Sequence, residues 1–166
     1  MFKISKGRAW SYGRFALGMG CGFSLLIATS AFAQGQCADP LTIEGGFGKA
    51  SFDIQIADDP AERSQGLMFV ESLPRFSGML FIYEAPQSAA FWMRNTLIPL
   101  DMIFAGSDGV VTHIHSDAVP LDETPIPGGD DVKYVLEING GLAKKLGISG
   151  GDVLLHASLL GDVTCP

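Results

Sequence analysis

Leu100-Asp-Met-Ile-Phe-Ala-Gly-Ser-Asp-Gly-Val-Val-Thr-His-Ile-His115 reads as two strands folded about one turn. Leu100 to Ala105 is apolar apart from Asp101, Ser107-Asp108-Gly109 carries hairpin-turn chemistry, and Val110 to His115 runs back as the partner strand. Upstream of the hairpin, Pro99 rules out a central strand, so Asn95 to Pro99 is expected as a bend or a sheet edge. Downstream, Val132 to Ile138 alternates as a further strand, and Val153 to Leu160 predicts a last long one.

Working back toward the N-terminus, Gly78 to Tyr83 predicts a buried strand that Pro86 breaks, with a new strand from Ala89 to Met93. Phe52, Ile54 and Ile56 alternate with polar residues, and Leu41 to Glu44 precedes Gly45-Gly46 as a short first strand. Between them Asp59 can cap a helix, with Pro60 at its first position, Glu62 in the first turn and Gly66 at its end. A second short helix is expected over Leu142 to Leu146, capped by Asn139 and closed by Gly147. Val119 to Asp131, with Pro120, Pro125, Pro127, Gly128 and Gly129, predicts an exposed loop. The fold class is therefore mostly β, a compact sandwich or barrel of about eight short strands with one or two short helices.

The first 33 residues read as a leader. Lys3, Lys6, Arg8 and Arg14 open it without an acid, Phe15 to Ile27 is its apolar run, and Ala31-Phe32-Ala33 has the small-x-small form of a cleavage site. Gly18, Gly20 and Gly22 interrupt that run, which is short against the ~20 apolar residues of a membrane span. Cys21 lies within it, away from a lipoprotein cleavage point. Cleavage after Ala33 into the periplasm or medium would leave a lead-in and first strand (34–49), one β-rich domain (50–160) and a tail (161–166). Cys37 and Cys165 would then stand near the two ends of the mature chain, an even pair that predicts one disulfide. In the chain-entropy account so long a loop contributes about 4 to 5 kcal/mol.

Losing Lys3, Lys6, Arg8 and Arg14 from the 11 basic residues leaves seven against 18 acids, a formal charge near −11. That balance excludes nucleic acid and anionic membrane surfaces as natural partners. A small molecule or a periplasmic protein remains, and no cofactor is implied.

Several motifs occur in a recognisable order. Arg63 with Gly66-Leu67-Met68, Ser72-Leu73-Pro74, Gly78-Met79-Leu80-Phe81, Phe91-Trp92-Met93-Arg94-Asn95-Thr96, Pro99-Leu100-Asp101, Asp108-Gly109 and Val135-Leu136-Glu137 together resemble the domain of unknown function 192 family. The resemblance covers about residues 50 to 160. It implies a compact β-rich fold in a bacterial or archaeal protein, often exported or anchored, and it implies no activity.

The residues themselves therefore carry the functional signal. Phe91 to Asp101 mixes Trp92, Met93, Asn95, Thr96 and Asp101 in one short run, and Arg63 and Glu137 stand beside apolar strands elsewhere. Polar groups so placed cost a few kcal/mol each if buried without partners. Either they satisfy one another, with Arg63 paired to Glu137 or Asp101 and Asn95 and Thr96 bonding the bend, or they converge on a ligand over Trp92.

Three further chemistries are open. Asp101 and Glu137 could form the carboxylate pair of a hydrolase, although no Gly-x-Ser-x-Gly elbow or phosphate loop accompanies them and no residue is singled out as catalytic. His113 and His115 alternate on one strand and could hold a metal with Asp117 and Glu123. Met68, Met79, Met93 and Met102 could offer thioethers to Cu(I), or simply fill the core.

Overall fold

A computed structural model describes residues 40–159. The leader, Cys37 and Cys165 lie outside them. The elements follow in the order β1 (Leu41–Gly45), β2 (Gly48–Ala57), α1 (Pro60–Gln65), β3 (Ser77–Phe91), β4 (Leu100–Ala105), β5 (Val111–Ala118), β6 (Ile126–Asn139), α2 (Leu142–Leu146) and β7 (Val153–Leu155), with a 3-10 turn at Ala157–Leu159. The seven strands form one sheet in the order β5-β4-β6-β3-β2-β1-β7. Every pairing is antiparallel except β2 with β3, where α1 and the segment after it carry the chain across. The sheet curls until its edges touch. Val110 bridges Val153, the Val111 amide donates to the Asp152 carbonyl at 2.8 Å, and the Leu154 amide donates to the Gly109 carbonyl at 2.9 Å.

Period-two alternation divides the side chains between the two faces of this sheet. On the inner face Leu41, Ile43, Phe52, Leu80, Ile103, Leu136 and Ile138 are closed off from solvent, with Leu142 and Ala143 of α2 packed on them. On the outer face of β3, β4 and β6 lie Met79, Phe81, Leu100, Met102, Phe104, Val132 and Val135, covered by Leu67 and Met93 from two loops. Strand β4 thus has core on both sides, and all six of its residues are buried. Each large apolar side chain withdrawn in this way contributes about 1.5–3 kcal/mol before conformational entropy is counted.

The hairpin forms as expected, with Phe104 opposite His113 and Met102 opposite His115. Gly109 takes φ 77°, and Asp108 Oδ1 accepts from the Val110 amide at 3.0 Å. Helix α1 is capped as the sequence predicts, Asp59 Oδ1 accepting from Ala61 and Glu62 at 2.7 and 2.8 Å.

Four expectations need correction. Pro86 does not break β3. The β3–β6 pairing slips between Ile82 and Gln87, so Pro86 falls where the ladder asks for no donor. The segment from Ile126 to Asp131 is not loop but the start of β6, where the same irregular pairing accommodates Pro127 and two glycines. Asn139 does not cap α2; it ends β6, and its side-chain amide donates to the carbonyls of Leu73, Pro74 and Arg75. The last strand stops at Leu155, because the chain turns into the 3-10 segment there.

Candidate functional site

The outer face is the place where polar chemistry meets core. Glu137 stands on β6 directly opposite Met79 of β3 and Met102 of β4, pointing outward as Val135 does. The side chain is 5 % exposed, and its Oε2 atom is buried without a hydrogen-bond partner. Burial disfavours the charged form, which raises the Glu137 pKa to about 8. At neutral pH this carboxyl is therefore mostly protonated, able to donate as well as accept.

Above Glu137 the chain passes closely. A Cβ on Gly66 would stand 4.0 Å from Glu137 Oε2 and 3.1 Å from the ring of Phe81, and Gly66 has φ 49°. Tyr83 flanks the site, its hydroxyl pKa raised by burial, lowered by Arg63 and raised again by Glu137. On the loop side the Asn95 amide donates to the thioether of Met68 at 3.8 Å, and the Asn95 carbonyl accepts from the Phe69 amide at 2.9 Å.

The rim of the loops that pack on this face is apolar and strained. Phe69, Trp92, Leu97, Val119 and Leu121 are 65, 46, 43, 63 and 60 % exposed. Their three loops are laced together: the Met93 amide donates to Asp122 and the Leu121 amide to Thr96. Phe69, Asn95 and Leu121 all adopt positive φ, at 64°, 56° and 64°. Left-handed backbone costs a residue with a Cβ roughly 1–2 kcal/mol. Strain of this kind gathers where a surface has a task.

The residues singled out from the sequence separate into two groups. Met93, Asn95 and Glu137 come to this outer face, and Thr96 bonds within the bend, its hydroxyl donating to the Arg94 carbonyl at 3.4 Å. Trp92 is at the rim, with the Arg94 guanidinium 5.5 Å from its ring. Arg63 pairs with neither Glu137 nor Asp101. Its guanidinium donates to the carbonyls of Asp58 and Ile82 and to Glu84, and it lies over the Tyr83 ring, so it steadies the slipped part of β3.

Asp101 is also spoken for. It points to the inner face, where Oδ1 accepts from the amides of Asp117 and Gly141 and Oδ2 from Ala143, each at 2.7 Å. Asp101 therefore caps α2 from a neighbouring strand. Met102 opposes Glu137 while Asp101 opposes Ile138, which puts the two carboxylates on opposite faces of the sheet. They do not form a hydrolytic pair.

His113 lies against Phe104, ring centroids 5.7 Å apart. Among the described residues no three of His, Cys, Asp and Glu gather as metal ligands, so Asp117 and Glu123 do not complete a site with the two histidines. Two grooves of about 440 and 500 Å³ flank β5 at Thr112 and His113. Neither includes the orphaned carboxyl oxygen. What sequence reasoning missed is the flank of Glu137: Tyr83, Gly66, and Met79 and Met102 as its neighbours. The repeats Met79-x-Phe81, Met102-x-Phe104 and Val135-x-Glu137 carried that signal, since each pair shares one strand face.

Similar proteins share this frame. A protein of unknown function from Novosphingobium aromaticivorans DSM 12444 is 48 % identical over 70 % of this chain and 84 % of its own, with a TM-score of 0.69. A "putative transcription regulator" from Sinorhizobium meliloti 1021 is 39 % identical over 70 % of this chain and 91 % of its own, with a TM-score of 0.68. None of the curated proteins compared matches the chain. The DUF192 family model, described as Uncharacterized ACR, matches residues 42–156, and the chain belongs to that family.

Proposed function

We propose that the protein is an exported binding module that takes a small ligand on the outer sheet face over Glu137, between the turn at Gly66 and the Phe91 to Asp101 segment. The observation that carries the proposal is the Glu137 carboxyl, nearly buried and with one oxygen unpartnered. Leaving a buried polar group unsatisfied costs about 1–3 kcal/mol, a cost that a bound group can offset. The strained, apolar loops above it supply walls of the kind that small-molecule sites use.

Arg63 and Asp101 do not help to hold a ligand over Trp92, because both are already occupied. A group that partners Glu137 Oε2, or a cation that displaces the carboxyl proton, fits better. Export rests on the leader: its basic start, apolar run and Ala31-Phe32-Ala33 end. Among the described residues no helix is long and apolar enough to cross a membrane.

Native mass spectrometry of the protein as isolated, beside Glu137→Gln, tests the proposal. The wild type should carry added mass that the variant, equally folded, lacks. Identical spectra without any adduct in either protein would refute it.

A further inference from the structure

Resting on that reading of the site, we propose that Glu137 and the thioethers of Met79 and Met102 form a binding site for Cu(I). The three residues sit side by side on β3, β6 and β4, Met79 opposite Glu137 and Glu137 opposite Met102. Adjacent strands lie about 4.8 Å apart, so the carboxyl has an unbranched, flexible thioether stem on each side. Both methionines belong to the same outer cluster, and neither exceeds 8 % exposure.

The donor set selects the metal. Among the described residues no two further His, Cys, Asp or Glu gather with Glu137, and a single carboxyl cannot satisfy zinc, calcium or magnesium. Two soft thioethers in a water-poor setting suit a weakly hydrated soft cation, which Cu(I) is. A third thioether stands at the loop edge, where Met68 is only part-buried and Asn95 fixes its sulfur. On the other side of Met102 the same row continues to His115.

Core filling explains methionines on this face, but not the acid between them. An apolar side chain at position 137 would complete the cluster without an orphaned oxygen. Copper binding needs no electron transfer: the carboxyl proton leaves as the ion enters.

The test is anaerobic competition for Cu(I) between the full chain, with its cysteines alkylated, and the chromogenic chelator bicinchoninate. The wild type is expected to withdraw one Cu(I) per chain. Met79→Leu and Met102→Leu, which nearly conserve volume, should each weaken uptake by about tenfold or more. Ile126→Val, altered in the same cluster but outside the site, should bind as the wild type does. No uptake, or equal uptake by the Met79→Leu/Met102→Leu double variant, overturns the proposal.

Should a variant fail to fold, X-ray absorption on the copper-loaded wild type decides instead. Two sulfur neighbours and a lighter atom support the site; a shell of light atoms alone overturns it. The binding reading stands apart from this result. A native-spectrum adduct lost in Glu137→Gln without copper uptake removes the metal and leaves the pocket, whereas neither adduct nor uptake removes both.

Discussion

Glu137 stores a pH dependence that can be measured on metal-free protein. Its folded pKa of about 8 lies above the ordinary value of 4.5, so between those limits the unfolded chain releases a proton that the folded chain keeps. Stability attributable to this group is full below pH ~4.5, falls as the pH rises to about 8, and is flat beyond. At 1.36 kcal/mol per unit the loss amounts to at most about 5 kcal/mol. Tyr83 faces the same side, but burial raises its pKa and keeps the hydroxyl neutral throughout that window. Urea denaturation at pH 5 and pH 8 should therefore show wild type losing stability relative to Glu137→Gln as the pH rises. A difference that does not move with pH would contradict the buried carboxyl. Glu137 could be named from sequence as a polar residue in an apolar strand, but whether it had a partner depended on where Arg63 pointed. That direction is set by the slipped carbonyls of β3, which no local pattern encodes.

At the level of elements, α2 owes its start to a residue 40 positions or more away in sequence, since Asp101 receives the Gly141 and Ala143 amides. The sequence suggested Asn139 as the cap because it is the nearest capping residue. Pairing of β4 with β6 instead brings Asp101 to the helix start. Asp101→Ala should cost about 4 kcal/mol, since it orphans three amide donors that now meet the Asp101 side-chain oxygens. A loss under ~1 kcal/mol in a denaturant titration would show that water replaces it. The loops behave oppositely. Phe69 holds positive φ while mostly exposed, so Phe69→Gly should raise stability by about 1 kcal/mol and weaken ligand retention. Unchanged retention would remove this loop from the site. Gly66→Ala should destabilise by about 1 to 2 kcal/mol, through its φ of 49° and the 3.1 Å approach to Phe81. The hairpin and the α1 cap were legible because their chemistry is local: Asp108-Gly109 for one, Asp59-Pro60 for the other. The course of β3 and β6 was not, because Pro86 and Pro127 are tolerated only through a mutual slip of the two strands.

Across the whole molecule, one sheet curls until β5 and β7 meet, and this closure makes an inside from one face and leaves the other for a site. Alternation in β2 and β6, with the apolar runs of β3 and β4, made a mostly β fold readable, yet alternation cannot say which face is wrapped inward. In β4 both faces are buried, which hid the fact that Asp101 and Glu137 look in opposite directions. The expected link between Cys37 and Cys165 belongs to this scale, and we propose it as a tie between the chain ends. With the proposed cleavage after Ala33, the intact mass without reductant should match residues 34–166 less two hydrogen atoms. A full-thiol mass would leave the ends untied.

The measurement that bears most directly on the central claim is a high-resolution crystal structure of the protein as isolated, without chelator. Density over Glu137 Oε2 from a bound group seated between Met79 and Met102 is expected. An empty, water-free contact, or a Glu137 carboxyl satisfied by the protein itself, would contradict it.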